Sequence, residues 1–306
     1  MTRSKRDFLR IDDLSRVEAR EVLALAGALK RAPKGSHVGR LRGRAVAVVL
    51  EKASTRTRVS FEVGIGQLGA QPVILGVEGS QLGRGEPIAD TARVLARYCD
   101  AIAYRTSASS RLREMAIAPV PVINALSDDG HPVQVLCDVF TVEEALGRSI
   151  EGTRVAFVGD CASNMARSWL EAAPLFGFHL ALAAPPAYRP PASELAAAGA
   201  HASMHDRPRD AIASADVVNT DVWTSMGQEE ESARRRADFA GWTLDDAMLT
   251  GAAPHAIVLH CLPAHRGEEI DDATLEGPRS RVWDQAENRL HVQKALLCWL
   301  IEHSAS

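Results

Sequence analysis

The sequence predicts an α/β protein of two doubly wound domains, each with a central parallel sheet flanked by helices. Three observations carry this. Short apolar, β-branched runs alternate with helical patterns along the chain. The runs are apolar at successive positions rather than alternate ones, which suits parallel strands covered on both faces. A strand–turn–helix series also restarts at "GRSIEGTRVAF", after a long helical stretch. The 306 residues are long for one domain and comfortable for two.

The expected strands are residues 45–50, 72–76, 101–105, 121–125, 154–160, 179–185, 216–221, 256–261 and 280–284. Helices fit between them. Residues 88, 92, 95 and 99 form one apolar helical face. The stretch 132–147 opens on proline, a good first helical residue, and holds the domain junction. Ser163 is an expected N-cap and Gly177 the expected stop of the next helix. The segment "AENRLHVQKALLCWLIE" predicts an amphipathic terminal helix.

Composition narrows the function. The formal net charge is -4, so bulk electrostatics give nucleic-acid binding no support. The five cysteines, Cys99, Cys137, Cys161, Cys261 and Cys298, are odd in number and lack any C-x-x-C pair. That argues against a disulfide framework and a structural zinc site. No signal-peptide core and no window of 18 apolar residues occurs, so a cytoplasmic, membrane-free setting is expected.

In doubly wound sheets ligands bind beyond the carboxyl ends of strands, and there the chemistry-bearing residues fall. After the first strand, "STRTR" places Ser54, Thr55, Arg56 and Thr57 at a helix start, where backbone N–H groups, hydroxyls and a guanidinium favour an anion. A capped helix with solvated arginines is the plainer reading. Beyond the motif, Arg58 is expected to turn away toward structural partners, and Val59 and Phe61 toward packing. No G-x-x-x-x-G-K-[ST] occurs, so this is not the nucleotide P-loop. Arg105 leaves the third strand. "DDGHPVQ" presents His131 and Gln134 on one side of a helix start. "VGDCASNMA" lacks the dinucleotide glycine spacing but brings Asn164 to a helix start. "DVWTSMG" offers Asp221 to an ammonium group, and Ser225 with Met226 to a carboxylate. "HCLPAHRG" leaves open a metal cluster, a Cys–His nucleophile pair, or a turn whose Leu262–Pro263 step presents a carbonyl to a ligand.

In this order, "STRTR", "HPVQ", "DVWTSMG", "HCLPAHRG" and "DQAENRLHVQKALL" resemble the ornithine carbamoyltransferases of the aspartate/ornithine transcarbamoylase family, essentially end to end. The first two motifs are shared by transcarbamoylases; "DVWTSMG" and "HCLPAHRG" point to ornithine. The resemblance implies a carbamoyl-phosphate domain of residues 1–134 plus 286–306 and an ornithine domain of residues 135–285. It implies that Ser54, Thr55, Arg56 and Thr57 hold the phosphate, Arg105 bridges phosphate and carbonyl oxygen, and His131 donates to that oxygen. Gln134 and the Leu262 carbonyl would take the carbamoyl NH2, and Arg289 would reach the same ligand. Asn164, Asp221, Ser225 and Met226 would bind ornithine, with Cys261 and Asp221 near the attacking δ-amine. Arg105, His131, Asp221 and Cys261 are the implied catalytic group.

No cofactor and no metal is implied. A homotrimer, or a multiple of trimers, is, with a loop near Arg84 contributing to a neighbouring subunit's site. Two positions depart from the pattern: Val133 stands where a small residue or cysteine is expected, and Arg84 where some members carry His or Lys. The rivals are a transcarbamoylase for another amine and a non-catalytic homologue that binds carbamoyl phosphate.

Overall fold

A computed structural model describes residues 5–77, 80–225 and 229–304. The chain divides into two compact units, residues 1–137 with 287–306, and residues 138–286.

The first unit opens on α1 (Arg16–Arg31). Its N-terminus is a capping box: Ser15 Oγ accepts from Glu18 N at 3.3 Å, and the Glu18 carboxylate accepts from Ser15 N at 2.8 Å. Then come β1 (Ala45–Leu50), α2 (Thr55–Gln67), β2 (Gln71–Gly76), α3 (Ile88–Tyr98), β3 (Ala101–Arg105), α4 (Ser109–Met115) and β4 (Val122–Leu126). All strand pairs are parallel, in the order β2-β1-β3-β4. The sheet core is built by residues such as Val46, Val48, Ile102 and Tyr104, all inaccessible. Helix α5 (Pro132–Leu146) carries the chain past the unit boundary. Val133, the departure from the family pattern, is inaccessible core.

The second unit comprises β5 (Arg154–Val158), α6 (Asn164–Phe176), β6 (His179–Ala183), α7 (Ala192–Ala198), β7 (Ala202–His205), α8 (Pro208–Ile212), β8 (Val217–Thr220), α9 (Ser232–Asp238), β9 (Ile257–His260) and α10 (Asp272–Glu276). Its sheet is parallel, in the order β7-β6-β5-β8-β9. Helix α11 (Val282–His303) begins here and ends in the first unit. Ser163 caps α6, accepting from Ala166 N at 3.3 Å, and Gly177 ends it at φ 75°.

Three expectations are corrected. Residues 280–284 are not a strand: Ser280 makes one bridge to Val258, and α11 starts at Val282, whose buried side chain begins a helical rather than an alternating face. The fifth strand of that sheet is β7, within the mixed sequence "ASMH". As a half-buried edge strand it needs no apolar run, so hydropathy does not reveal it. Val59, expected to pack beside Phe61, is 50% exposed while Phe61 is inaccessible. Two residues apart on a helix, they point to different faces.

Both sheets reverse their winding once. In the first unit the reversal lies between β1 and β3, in the second between β5 and β8. The carboxyl ends of those strand pairs are where a doubly wound sheet opens a crevice for ligand.

Candidate active site

At the β1/β3 crevice, Ser54 is the N-cap of α2. Its Oγ accepts from Thr57 N at 3.3 Å and donates to Thr57 Oγ1 at 3.0 Å. Two buried arginines arrive at the same hydroxyl. Arg105, the last residue of β3, donates from Nη1 at 3.4 Å, and Arg289, on α11, donates from Nη2 at 3.1 Å. Three donors thus converge on an oxygen with two lone pairs. Arg289 also donates to Gln134 Oε1, a buried side chain in the first turn of α5. Thr55 is exposed and Arg56 half-buried on the same turn of α2. Arg58 turns away and pairs with Glu62 at 3.4 Å.

His131 precedes α5 and is buried. Burial, then the charges of Arg289 and Arg105, hold its pKa well below that of an ordinary histidine. The imidazole is therefore neutral at neutral pH and can donate one N–H without adding charge. Its turn is held by Asn124 Nδ2, which donates to Leu9 O at 2.9 Å and Ser127 Oγ at 3.1 Å.

A residue without a role in the sequence reading braces this crevice. Glu51, just past β1, accepts from Tyr104 O–H at 2.5 Å, from Arg111 Nε at 2.8 Å and Nη2 at 2.5 Å, and from the Thr106 hydroxyl. Its backbone N–H donates to Arg105 O at 2.9 Å. One carboxylate thus joins the exits of β1 and β3 to α4. Burial would raise the Glu51 pKa, but Arg111 and the Thr106 and Tyr104 hydroxyls outweigh it and hold the pKa below the usual value.

In the second unit, Asp221 follows β8 and Cys261 follows β9. Cys261 Sγ donates to Asp221 Oδ1 at 3.1 Å, and Val222 N donates to the same oxygen at 2.8 Å. Burial raises the Asp221 pKa, against the lowering influence of His260, Cys261 and the Val222 N–H. Asn164 and Ser225 are half-buried at the exits of β5 and β8. Met226 lies outside the described residues.

The turn after β9 has its own frame. Leu262 N donates to His260 Nδ1 at 2.9 Å, which leaves the imidazole proton on Nε2, facing Glu269 Oε1 at 3.0 Å. His265 N donates to that same Glu269 oxygen at 2.6 Å, and His260 N donates to Gln285 Oε1 at 3.0 Å. Leu262 is held at φ 59°, a region that crowds a side chain, and its bond to Pro263 is cis. Asp221, His260 and Cys261 could each offer one donor atom to a metal within 4.8 Å of the others, as could His265, Glu268 and Glu269. Both His260 nitrogens already hold the turn, so a metal in the first cluster would have to displace one of those bonds.

Two family models match the chain: the carbamoyl-P binding domain of aspartate/ornithine carbamoyltransferase over residues 6–144, and the Asp/Orn binding domain over residues 151–300. An ornithine carbamoyltransferase of Sorangium cellulosum is 69% identical, the match covering 97% of this chain and 98% of that one. One of Acidothermus cellulolyticus is 54% identical, covering 97% of each. The crystal structure of ornithine carbamoyltransferase from Burkholderia thailandensis superposes with a TM-score of 0.89 at 43% identity, over 97% of this chain and 98% of that chain. Both halves of the chain match: the chain belongs to the aspartate/ornithine carbamoyltransferase family.

Proposed function

We infer that the chain transfers the carbamoyl group of carbamoyl phosphate to the δ-amine of L-ornithine, giving citrulline and phosphate. The observation that carries this is the donor excess at Thr57. Ser54, Arg105 and Arg289 converge on one hydroxyl, and a phosphate would offer them a full set of acceptor oxygens. Full-length relatives named ornithine carbamoyltransferase support ornithine as the acceptor.

In this reading Ser54, Thr55, Arg56 and Thr57 hold the phosphate, with the N-terminal amides of α2 adding donors. Arg105 and neutral His131 face the carbonyl oxygen, Gln134 takes the carbamoyl NH2, and Arg289 braces Gln134 and Thr57. Asn164, Ser225 and Met226 receive the amino-acid end of ornithine. The Leu262 carbonyl joins Gln134 at the carbamoyl NH2, and Asp221 and Cys261 attend the δ-amine.

The neutral amine attacks the carbamoyl carbon and a tetrahedral oxyanion forms. The C–O bond to phosphate then breaks, and phosphate leaves with the bonding pair and takes the proton that the nitrogen gives up. One preorganised donor to such an oxyanion contributes roughly 3 kcal/mol, and alignment of amine and carbon much of the rest. We further propose a homotrimer, or a multiple of it, in the cytoplasm, acting in arginine metabolism. Val59 and Val63, exposed one turn apart on α2, support burial against another copy.

The test is citrulline formation from ornithine and carbamoyl phosphate, beside a panel of putrescine, N-acetylornithine and aspartate. Turnover with another amine in preference to ornithine overturns the acceptor assignment. Carbamoyl-phosphate binding without any turnover makes the chain a non-catalytic homologue.

A further inference from the structure

Arg235, on α9, belongs to none of the motifs above, yet it is buried and its guanidinium meets three segments. Nη1 donates to Asp160 Oδ2 at 2.7 Å and to Trp223 O at 2.9 Å, and Nε donates to Glu231 Oε2 at 2.9 Å. Its central carbon sits 5.0 Å from the centroid of the Tyr188 ring.

Two of these partners lie in the loops that leave the sheet at its β5/β8 reversal. Asp160 is in the loop that starts α6. Its Oδ1 accepts from Ala162 N at 3.0 Å and its carbonyl from Ser163 N at 3.3 Å, directly before Asn164. Trp223 sits between Asp221 and Ser225, and its ring stacks on Phe239 at 5.3 Å with the planes 10° apart. Tyr188 also packs on Phe239, with ring centroids 4.6 Å apart, and its hydroxyl donates to Asp238 at 2.7 Å. Gly159, at the exit of β5, holds φ 134°, a backbone region that favours glycine, and lies in ordinary contact range of Thr220 Oγ1 and Asp221 O. One nitrogen, Nη1, holds both loops, while Nε fixes the planar guanidinium to Glu231; a lysine keeps the charge but has no second nitrogen to make the Glu231 bond at the same time.

We propose that Arg235 is a positioning residue for the amino-acid substrate, joining the loop before Asn164 to the loop bearing Asp221 and Ser225 so that both present one ornithine site. The proposal rests on the ornithine reading given above. It predicts a loss that falls on ornithine and spares carbamoyl phosphate, because the partners of Arg235 named above all belong to the second unit.

The experiment is steady-state kinetics with both substrates varied, on the wild type, Arg235→Lys, Arg235→Gln and Arg235→Gln combined with Asp160→Asn. Arg235→Gln should raise the ornithine KM by roughly 30-fold or more, since displacement of a positioning group by about 1 Å can cost ~100-fold. The carbamoyl-phosphate KM should stay within about threefold. The double variant removes the unpaired Asp160 charge and should recover thermal stability but not ornithine affinity; a purely structural role would restore both together. Arg235→Lys should fall between wild type and Arg235→Gln. If Arg235→Gln does not fold, the double variant and Arg235→Lys carry the same comparison. An unchanged ornithine KM in folded variants, or an equal rise in both KM values, overturns the proposal while leaving the ornithine reading intact. A wild type that makes no citrulline overturns the reading itself, and this proposal with it.

Discussion

Arg289 Nη2 lies 3.1 Å from Thr57 Oγ1, across 232 residues of sequence. The last helix of the chain thereby supplies a donor to the first turn of α2. Truncating either partner tests whether this contact serves the ligand. Thr57→Val keeps the volume and removes the hydroxyl. A hydrogen bond to a charged group is worth ~1.5–3 kcal/mol, so carbamoyl-phosphate affinity should fall roughly tenfold to a hundredfold. Arg289→Lys keeps the charge but cannot bridge Gln134 and Thr57, and should lose a similar amount. Titration calorimetry with carbamoyl phosphate reads both.

Arg56 is half-buried beside this cluster. Arg56→Ala should abolish measurable carbamoyl-phosphate binding while circular dichroism and the melting temperature stay close to wild type. Undiminished binding would remove Arg56 from the phosphate site.

Glu51 braces the crevice from behind. Glu51→Ala leaves Arg111 and two hydroxyls without their shared acceptor. A cost of about 2 kcal/mol is expected, below the usual range for a broken buried pair because Arg111 is partly exposed. With the Glu51 pKa lowered on folding, its contribution is present above the ordinary glutamate pKa and is lost as pH falls through the folded-state value. Denaturant melts of wild type and Glu51→Gln should therefore converge in acid and separate toward neutral pH.

His131 titrates with the same sign for a different reason. Its folded-state pKa lies well below 6.5, so between that value and 6.5 the unfolded chain binds the extra proton. Stability should be at its plateau above about pH 6.5 and decline below it, and a His131→Asn variant should show a shallower decline in urea midpoint over the same window.

The amine imposes a second pH dependence. A free alkyl amine has a pKa of roughly 10, and only its neutral form attacks. kcat/KM for ornithine should rise from neutral to alkaline pH; a flat profile would count against attack by a neutral amine drawn from solution. Asp221→Asn removes the charge that accepts from Cys261 and should lower kcat/KM for ornithine by roughly 100-fold, with the carbamoyl-phosphate KM nearly unchanged.

Much of the fold was legible because parallel strands buried on both faces leave continuous apolar runs, as in "AVAVVL" and "AIAYR". Strand β7 was not, since this half-buried edge strand, "ASMH", carries no such run, and Val282 misled because a β-branched residue opening a helix looks like a strand. The polar motifs at strand exits were legible for a related reason: a doubly wound sheet leaves its ligand residues at strand ends, so topology sorts them in sequence order. At Leu262 the residues left a ligand carbonyl open beside a metal cluster and a Cys–His pair, and only the resemblance chose among them, because the geometry of the turn depends on His260 and Glu269.

By itself, then, the sequence determined the two-sheet α/β class, the order of the motifs along the chain and, through their resemblance, the reaction. Only the tertiary structure decided which side chains converge. Thr57 meets Arg105 and Arg289, Glu51 gathers Tyr104, Thr106 and Arg111, and Arg235 binds Asp160 to Trp223. The physical reason is range. Strand and helix signals are local periodicities of two or 3.6 residues, whereas a buried guanidinium finds its acceptors wherever packing brings them, 12, 75 or 232 residues away.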